Sequence, residues 1–546
     1  MSDTARKPNL LILVEDQWQA HMPVPDDLPL PAWRRLHREG VAFNRAYCTV
    51  PICTPSRATM WTGQHAKKID MWDNTNYAWL TKGMDPDIPT LGDMLRGQGY
   101  YTAFKGKWHL SRLDRKPHPL EDFGWSDTQE WGDMFGGPLQ GAQLDTSVAE
   151  EAVDWLEHRA PTLDQPWALV VSLINPHDVM FVVPDKGIGG LDAGFASASQ
   201  HPIQQSPFFQ KEWDVAMPDN HAYEQDKHPP GVAAYYEYLR IHFGHIPEDR
   251  TDLWLKQRNY LLNCMRLVDM QFDKVLQAMD RVSGWDDTVV IYTGDHGEMN
   301  GAHNMTQKGG ITFDEAQVVP LIIRDPQGRR GARTEAIGSL LDLVPTCLDY
   351  AGVPEERLRA DYPDLPGRSL RPLTTAPESA GPRGSAEQPG SGALTTWDTL
   401  HALDNDWALT GALAQLTDLQ GGVMTPDEWL ARIPEVGAEY GAPDFGKRNF
   451  HRSLTDGCWK IVRWFSPDEY GNPASVEELR ACSDVGLYDL INDPGETESV
   501  ADPAHPRHDA QALAEMTRKL HELVARELGE DLRPFDPAMF APADAG

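Results

Sequence analysis

Four short apolar runs in the chain do not alternate with polar residues, and they set the expected fold. They are LLILV (10–14), ALVVSLI (168–174), TVVIYT (288–293) and VPLII (319–323). Such runs are typical of strands that are buried on both faces of a parallel sheet. Amphipathic helical stretches, such as 146–160 and 253–280, lie between them. This alternation predicts an α/β fold with a large, mostly parallel sheet sandwiched by helices.

The same patterns predict where the first unit ends. The α/β unit is expected over residues 8–375. Within it, residues 185–250 are rich in Pro, Gly, His and aromatic residues with weak periodicity, which predicts an insertion or lid. From Ala376 the sequence APESAGPRGSAEQPGSG has no large apolar residue, which predicts a loop or linker over 376–394.

A smaller α+β subdomain is expected over 395–530. It contains strand-like WKIVRWF (459–465) and GLYDL (486–490), followed by a helical stretch at about 508–529. The Pro-rich residues 531–546 are expected to form an extended tail. Such a tail could reach a neighbouring subunit of a homo-oligomer.

Composition narrows the class of function. The 546 residues include 82 acidic and 49 basic side chains, with a formal charge of -33. This charge disfavours nucleic acids and anionic membranes as partners. No apolar run approaches the 18 or so residues of a membrane span, and the start MSDTARKPN has no apolar signal region. Six cysteines without CxxC spacing are typical of reduced thiols, so we expect a cytoplasmic protein.

Polar side chains follow two of the predicted strands at their carboxyl ends. Asp16 and Gln17 follow the first strand, and Asp295 and His296 follow the third. Ligands of open α/β sheets bind at this edge. A carboxylate after a strand often only caps the next helix, but two such pairs at two strand ends favour a shared site. Their oxygen-rich donor set, with one imidazole, suits Ca²⁺, Mn²⁺ or Mg²⁺.

The segment Cys53-Thr54-Pro55-Ser56-Arg57 is the second candidate for chemistry. Pro55 favours a first helical turn, which would put Cys53 at a helix N-terminus. The free N–H groups and the dipole there favour anions and lower the pKa of a thiol. Arg57, one turn further on, has a planar fork that matches a tetrahedral oxyanion.

This segment resembles the signature of the type I sulfatases, whose fold is that of the alkaline-phosphatase superfamily and whose signature cysteine is oxidised to Cα-formylglycine. The other matching elements run in order from about residue 8 to residue 500: Asn9 before Asp16, Gly106-Lys107-Trp108-His109, Gly294-Asp295-His296-Gly297, Lys308, the helix-like Ser339-Leu340-Leu341-Asp342, and Leu487-Tyr488-Asp489-Leu490. In this order they are far more specific than any one of them alone.

The resemblance implies an arylsulfatase-like sulfuric ester hydrolase that acts on a small anionic ester. A formylglycine-generating enzyme would convert Cys53, and one hydroxyl of the hydrated aldehyde would attack sulfur. One divalent cation, Ca²⁺ by family habit or Mn²⁺ by the donors Gln17 and His296, would be held by Asp16, Gln17, residue 53, Asp295 and His296.

The resemblance also implies roles for basic and polar residues around that centre. Arg57, Lys107 and Lys308 would neutralise charge on the transferring group. His109 would orient the diol or assist its collapse. His177, which follows the second strand, could protonate the leaving oxygen. Lys107, His177 and Lys308 would also bind the substrate, whereas Lys105 is expected to face solvent.

Two departures from the sulfatase pattern point toward a neighbouring branch. Many sulfatases carry Asp-Asp where this chain has Asp16-Gln17, and Glu15 one place earlier is an alternative ligand. Gln17, and an asparagine near Asn74 as a substrate-binding residue, resemble the phosphonate monoester hydrolases. That branch lacks the Gly-Lys-x-His element that this chain keeps.

These features leave more than one function open. The same residues could hydrolyse phosphonate monoesters or phosphodiesters, or act on both classes, because sulfate and phosphonate monoesters are both tetrahedral monoanions. A binding protein on an inactive scaffold and an alkaline-phosphatase-like enzyme that uses Thr54 or Ser56 are further alternatives. The binding protein is disfavoured by the intact residues Cys53, Arg57, Asp16, Asp295 and Lys308. The second enzyme would leave Cys53 without a purpose.

Overall fold

A seven-stranded sheet forms the centre of the computed structural model, which describes residues 7–113, 119–129, 132–182, 201–282, 284–416 and 424–541. Part of the predicted lid, 183–200, and the last five residues of the predicted tail lie outside this description. The strands of the sheet are β1 (Asn9–Asp16), β2 (Val41–Tyr47), β3 (Tyr101–Gly106), β4 (Trp167–Pro176), β5 (Thr288–Gly294), β6 (Val318–Arg324) and β7 (Ala332–Ser339). Their order across the sheet is β3-β4-β1-β5-β6-β2-β7.

Three of the four apolar runs form the parallel centre of this sheet. β1 pairs with β4 on one side and with β5 on the other, both in parallel. Every residue of the three strands is buried. The fourth run, β6, is antiparallel to both of its neighbours, β5 and β2. An apolar run indicates that a strand is buried on both faces, but it does not indicate whether the strand runs parallel or antiparallel to its neighbours.

Helices cover both faces of the sheet, as the sequence predicts. The helices of the described residues, on this sheet and elsewhere, are α1 (Pro31–Glu39), α2 (Cys53–Thr62), α3 (Leu91–Arg96), α4 (Gln140–Asp154), α5 (Pro230–Phe243), α6 (Thr251–Arg281), α7 (Asp314–Gln317), α8 (Leu343–Tyr350), α9 (Glu355–Asp361), α10 (Arg371–Thr375), α11 (Asn405–Leu409), α12 (Ala412–Leu416), α13 (Pro426–Tyr440), α14 (Val476–Ala481) and α15 (Ala510–Glu527). Alternate side chains of β1 enter two different cores: Leu10 and Ile12 pack with α2, and Leu11 and Leu13 pack with α4 and α6. The fold class predicted from the sequence is therefore confirmed.

A second, antiparallel sheet follows in the chain. Its strands are β8 (Ala393–Trp397), β9 (Phe450–Thr455), β10 (Trp459–Phe465) and β11 (Asp484–Asp489), in the order β11-β10-β9-β8. Helix α15 packs its apolar side against this sheet through residues such as Leu513 and Leu520.

A buried ion-pair cluster ties the predicted loop 376–394 to the residues before α8, beside the first sheet, and to α15, which packs on the second sheet. Arg383, only 2% exposed, donates two hydrogen bonds to Asp342 before α8 and one to Glu527 of α15. Glu527 also lies 2.9 Å from His65. This stretch of low apolar content is therefore anchored by one buried guanidinium. Among the described helices, none is both long and apolar enough to cross a membrane.

Candidate active site

The carboxyl ends of β1 and β5 meet the N-terminus of α2. Cys53 is the first residue of α2, and Pro55 lies in its first turn, where a missing N–H costs nothing. One donor atom each from Asp16, Cys53, Asp295 and His296 lies within 4.8 Å of the others, and all four residues are buried. We call these four residues the central cluster.

In both carboxylates of the central cluster, one oxygen pairs with a basic side chain and the other lies near His296. Oδ2 of Asp16 accepts hydrogen bonds from Nζ of Lys107 at 2.5 Å and from Arg57 at 3.1 Å. Oδ2 of Asp295 accepts from Nε of Arg57 at 2.8 Å. The Oδ1 atoms of Asp16 and Asp295 lie 3.5 and 3.6 Å from Nε2 of His296. The Oδ2 atom of each carboxylate is thus paired with a basic side chain, while the Oδ1 atom faces His296 inside the central cluster.

Arg57 is a clamp for the central cluster rather than an open anion-binding group. Its guanidinium is fully buried, and its remaining hydrogen bonds go to the carbonyl of Lys107 at 2.8 Å and to Oγ of Ser172 at 2.9 Å. The sequence suggested that Arg57 neutralises the transferring group. The structure directs its Nε to Asp295 and its Nη2 to Asp16, and a direct role toward the transferring group stays a prediction. Ser172, inside the apolar run of β4, carried no signal in the sequence.

Opposing charges set the pKa of Cys53 in this environment. Burial and the carboxylate of Asp16 would raise the pKa of the thiol. Lys107, Lys308 and His296 outweigh both, so the pKa of Cys53 falls below its ordinary value. The centre therefore favours a negative charge, despite the net charge of the whole chain.

Gln17 and Lys308 meet at one edge of the central cluster. Gln17 has a positive φ of 73°, and its backbone N–H donates to Oδ1 of Asp295 at 3.3 Å. Oε1 of Gln17 accepts a hydrogen bond from Nζ of Lys308. Its Nε2 donates to Glu298 at 2.5 Å, a carboxylate that the sequence patterns did not identify.

Glu15, the alternative ligand, does not join the central cluster. Successive side chains of a strand point to opposite faces, so Glu15 lies opposite Asp16 on β1. Its Oε1 accepts a hydrogen bond from the hydroxyl of Tyr292 at 2.7 Å. Burial raises the pKa of Glu15 well above its ordinary value, which favours a neutral carboxyl.

His109 lies on a strained loop beside the cluster with both ring nitrogens free of protein partners. Its φ is 57°, and its buried Nδ1 and Nε2 have no hydrogen bond. Asp133 holds this loop by accepting from the backbone N–H groups of Trp108 at 3.0 Å and His109 at 2.8 Å. Burial and the neighbouring Lys107 lower the pKa of His109 well below its usual range. Asp133 lies in a stretch without periodicity and could not be recognised from the sequence.

His177 follows β4 on a short helical turn, 177–181. It is 3% exposed, and its Nδ1 has no hydrogen-bond partner. Gly136 packs against the ring so closely that a Cβ atom there would lie 2.7 Å from it. Burial and Lys308 lower the pKa of His177 well below its usual range. The buried carboxylate of Asp145 fixes the approach to this turn by accepting from the N–H of Ile174 at 2.7 Å.

Asn74 and Lys105 differ in how close they lie to the central cluster. Oδ1 of Asn74 accepts a hydrogen bond from the backbone N–H of Thr54 at 3.0 Å, so it holds the first turn of α2 next to Cys53. Lys105 stays outside the central cluster and pairs with Glu151 at 3.2 Å. Its side chain is mostly covered, unlike the solvent-facing lysine that we expected.

The donor set of the central cluster fits a divalent cation. The inward Oδ1 atoms of Asp16 and Asp295 and the imidazole of His296 are the ligand types that such ions take. Buried carboxylate oxygens that face each other without a cation between them would otherwise repel. Residue 53 lies beside these three donors and could complete the site. The side-chain oxygen of Gln17, the other predicted ligand, accepts from Lys308 instead.

Comparisons with known proteins show the family of the chain. A family model described as Sulfatase matches residues 8–353, more than half of the chain. The chain is 28% identical over 396 residues to "Uncharacterized sulfatase YidJ" of Escherichia coli, covering 67% of this chain and 71% of that protein. It is 28% identical over 377 residues to "Arylsulfatase K" of Bos taurus, covering 66% of each.

Solved structures share the fold over nearly the whole chain. A 2-O GAG sulfatase has a TM-score of 0.66 at 20% identity, covering 98% of this chain and 96% of that one. The phosphonate monoester hydrolase of Agrobacterium radiobacter has a TM-score of 0.61 at 22% identity, covering 95% and 96%.

Proposed function

Because the chain belongs to the sulfatase family, we propose that it hydrolyses sulfate monoesters in the manner of an arylsulfatase, with residue 53 as formylglycine at the reacting position. The observation that carries this proposal is the placement of Cys53 at the N-terminus of α2, within 4.8 Å of donor atoms from two carboxylates and an imidazole. Hydrated formylglycine would supply a hydroxyl nucleophile, and a bound Ca²⁺ or Mn²⁺ ion would supply a Lewis acid.

Basic residues of the chain would balance the negative charge of the substrate. Lys107 and Lys308 bring two ammonium groups to the edge of the central cluster, and Arg57 offsets the carboxylates behind it. A tetrahedral monoanion would therefore meet a locally positive surface. Asn74 would keep the first turn of α2, and with it residue 53, in place by accepting from the N–H of Thr54.

Two histidines would move protons. Both have a lowered pKa, so each imidazole is neutral at neutral pH, and each has an unpartnered ring nitrogen. An anionic ester bound beside them would raise that pKa and favour the protonated form that a general acid needs. We assign His109 to the hydroxyl groups of residue 53, because it follows the Lys107 loop next to the cluster. We assign His177 to the leaving-group oxygen, which needs a proton when the leaving group is poor.

We place this chemistry in a catalytic domain over 8–375 that includes the predicted insertion 185–250, followed by a loop at 376–394, a subdomain over 395–530 and a tail at 531–546. All six cysteines are free thiols in the structure, which supports the proposal of a reducing, cytoplasmic location. Maturation would then require a formylglycine-generating enzyme as partner.

Two measurements test the proposal. Mass spectrometry of the peptide that holds Cys53 should show conversion to formylglycine in active enzyme. Hydrolysis of 4-nitrophenyl sulfate should require that conversion. Full activity in protein whose residue 53 is entirely unconverted cysteine would refute the proposed nucleophile.

A second candidate is hydrolysis of phosphonate monoesters or phosphodiesters by the same residues. The observation that favours it is Gln17, a neutral amide beside the central cluster at a position where many sulfatases carry a carboxylate and where this chain resembles the phosphonate monoester hydrolases. One negative charge fewer lowers repulsion against an anionic ester of either class. Comparing kcat/KM for an aryl sulfate and for an aryl phosphonate monoester, in one enzyme preparation, decides the preference.

A further inference from the structure

Glu298 is a buried carboxylate next to the site, with 1% of its surface exposed. Its Oε1 accepts hydrogen bonds from the backbone N–H groups of Asn300 at 3.1 Å and Gln307 at 2.8 Å. Its Oε2 accepts from Nε2 of Gln17 at 2.5 Å. The carboxylate therefore joins Gln17 to both ends of the loop that leads into Lys308.

The direction of these hydrogen bonds decides which end of the Gln17 amide faces Lys308. Three N–H groups donate to Glu298, so both of its oxygens act as acceptors and the NH₂ end of Gln17 is held there. Oε1 of Gln17 is then turned to Nζ of Lys308, from which it accepts. An ammonium group only donates, so the reversed amide would set two donors against each other.

From this geometry we infer that Glu298 is a positioning residue that orients the amide of Gln17 and thereby holds Nζ of Lys308 in place for the sulfate group of the substrate. The inference rests on the proposed function, because it requires that Lys308 binds that group. Glu298 itself need not touch the substrate. Its loss should therefore weaken binding of the sulfate group without removing a reacting atom.

The variant Glu298→Gln should reverse the amide of Gln17. Its Oε1 must still accept from Asn300 and Gln307, so its NH₂ group meets the NH₂ group of Gln17. Gln17 relieves this clash by turning its oxygen to position 298 and its NH₂ group to Lys308. We expect sulfate affinity and kcat/KM to fall by about ten- to a hundredfold, the scale of one lost hydrogen bond to a charged group.

The charge-swapped double variant Gln17→Glu/Glu298→Gln distinguishes positioning from a general structural role. In it the amide at position 298 donates to the carboxylate at position 17, whose other oxygen accepts again from Lys308. Because every donor regains an acceptor, we expect the double variant to recover most of the loss. The single variant Gln17→Glu should lose affinity, since it sets two carboxylates against each other. Losses that simply add in the double variant would overturn the inference.

Calorimetric titration with inorganic sulfate measures binding without turnover, in a Cys53→Ala background at saturating Mn²⁺. The values of kcat and KM for an aryl sulfate are measured with Cys53 intact. Glu315→Gln is the matched control, because this nearby carboxylate accepts from Asn220 and not from Gln17 or Lys308. Sulfate affinity should be unchanged in the control and reduced in Glu298→Gln.

Two more variants keep the outcome decisive. Should Glu298→Gln not fold, Gln17→Met removes both side-chain hydrogen bonds and should lower sulfate affinity to a similar extent. An unchanged affinity in that variant would overturn the inference.

Lys308→Ala separates the inference from the proposed function. If only Lys308→Ala weakens sulfate binding, the positioning role of Glu298 is wrong and the proposed function stands. If Lys308→Ala has no effect, the sulfate-binding role of Lys308 fails, and the inference fails with it.

Discussion

The thiol sulfur of Cys53 lies 3.3 Å from Nε2 of His296, although 243 positions separate the two residues in the chain. Cys53 begins α2, and His296 follows the end of β5. Both residues belong to the central cluster and lie at the ends of their elements. Substitutions there should therefore change the chemistry more than the packing.

The first prediction concerns residue 53. Cys53→Ala should abolish hydrolysis of 4-nitrophenyl sulfate, because the reacting group is gone, while the circular dichroism spectrum and melting temperature stay close to those of the wild type. Cys53→Ser should be almost as inactive, since a serine side chain has one hydroxyl and cannot form a gem-diol. A serine variant that turns over at the wild-type rate would contradict the formylglycine mechanism.

The second prediction concerns the cation. Asp295→Asn should weaken Mn²⁺ binding, followed by electron paramagnetic resonance of the free ion, because it removes a charged oxygen ligand and loosens Arg57. Glu15→Gln is the control: Glu15 faces Tyr292 on the other side of β1, so Mn²⁺ affinity should be unaffected. Chelation should inactivate the wild type. Full activity in enzyme that is verifiably free of metal would rule out the assignment.

The third prediction concerns Lys308. Lys308→Ala should lower kcat/KM by on the order of a hundredfold, the scale for losing one preorganised charged donor. It should also weaken inhibition by free sulfate, because the same ammonium group binds the product. Steady-state kinetics with sulfate as inhibitor check both effects. An inhibition constant equal to that of the wild type would place Lys308 outside the anion site.

The fourth prediction concerns salt. The charge of -33 repels an anionic ester at long range, and this repulsion is screened beyond a Debye length of about 8–10 Å. Raising NaCl from very low levels should therefore increase kcat/KM or leave it unchanged. Na₂SO₄ at equal ionic strength should inhibit, since sulfate competes for the site itself. Equal effects of the two salts would argue against an anion site of this kind.

The fifth prediction concerns stability. Glu527 is fully buried against Arg383 and His65, and Arg383 and the hydrogen bond from His65 lower its pKa to about 2 despite the cost of burial. A carboxyl with a lowered pKa contributes stability above its unfolded pKa, about 4.3, and loses it as pH falls toward 2. Glu527→Gln should cost about 3–5 kcal/mol at pH 7, the scale of breaking a buried ion pair.

Urea unfolding at pH 7 and at pH 3 tests this sign. The difference between the wild type and Glu527→Gln should shrink at pH 3. Glu522→Gln, on the exposed side of the same helix, is the control and should change stability little at either pH, because its pair with Arg518 is open to solvent. A difference that grows at low pH would contradict the role of Glu527.

Local patterns determined much of this protein. Fully apolar runs report strands buried on both faces, and β1, β4 and β5 follow that rule. Residues directly after such strands must lie at one edge of the sheet, so Asp16 and Asp295 could be placed together from the sequence. Pro55 likewise marked the first turn of α2, and with it the position of Cys53.

Only the tertiary structure decided which atoms meet. Strand direction in β6, the clamp that Arg57 makes on both carboxylates, the contact of Glu298 with Gln17 and the burial of Arg383 all depend on residues far apart in the chain. Burial and periodicity are properties of neighbouring positions, whereas a hydrogen bond between two buried side chains depends on how separate elements pack. The residue types at the centre can therefore be predicted from sequence, but the direction in which each carboxylate and amide points is set by packing and charge in the folded protein.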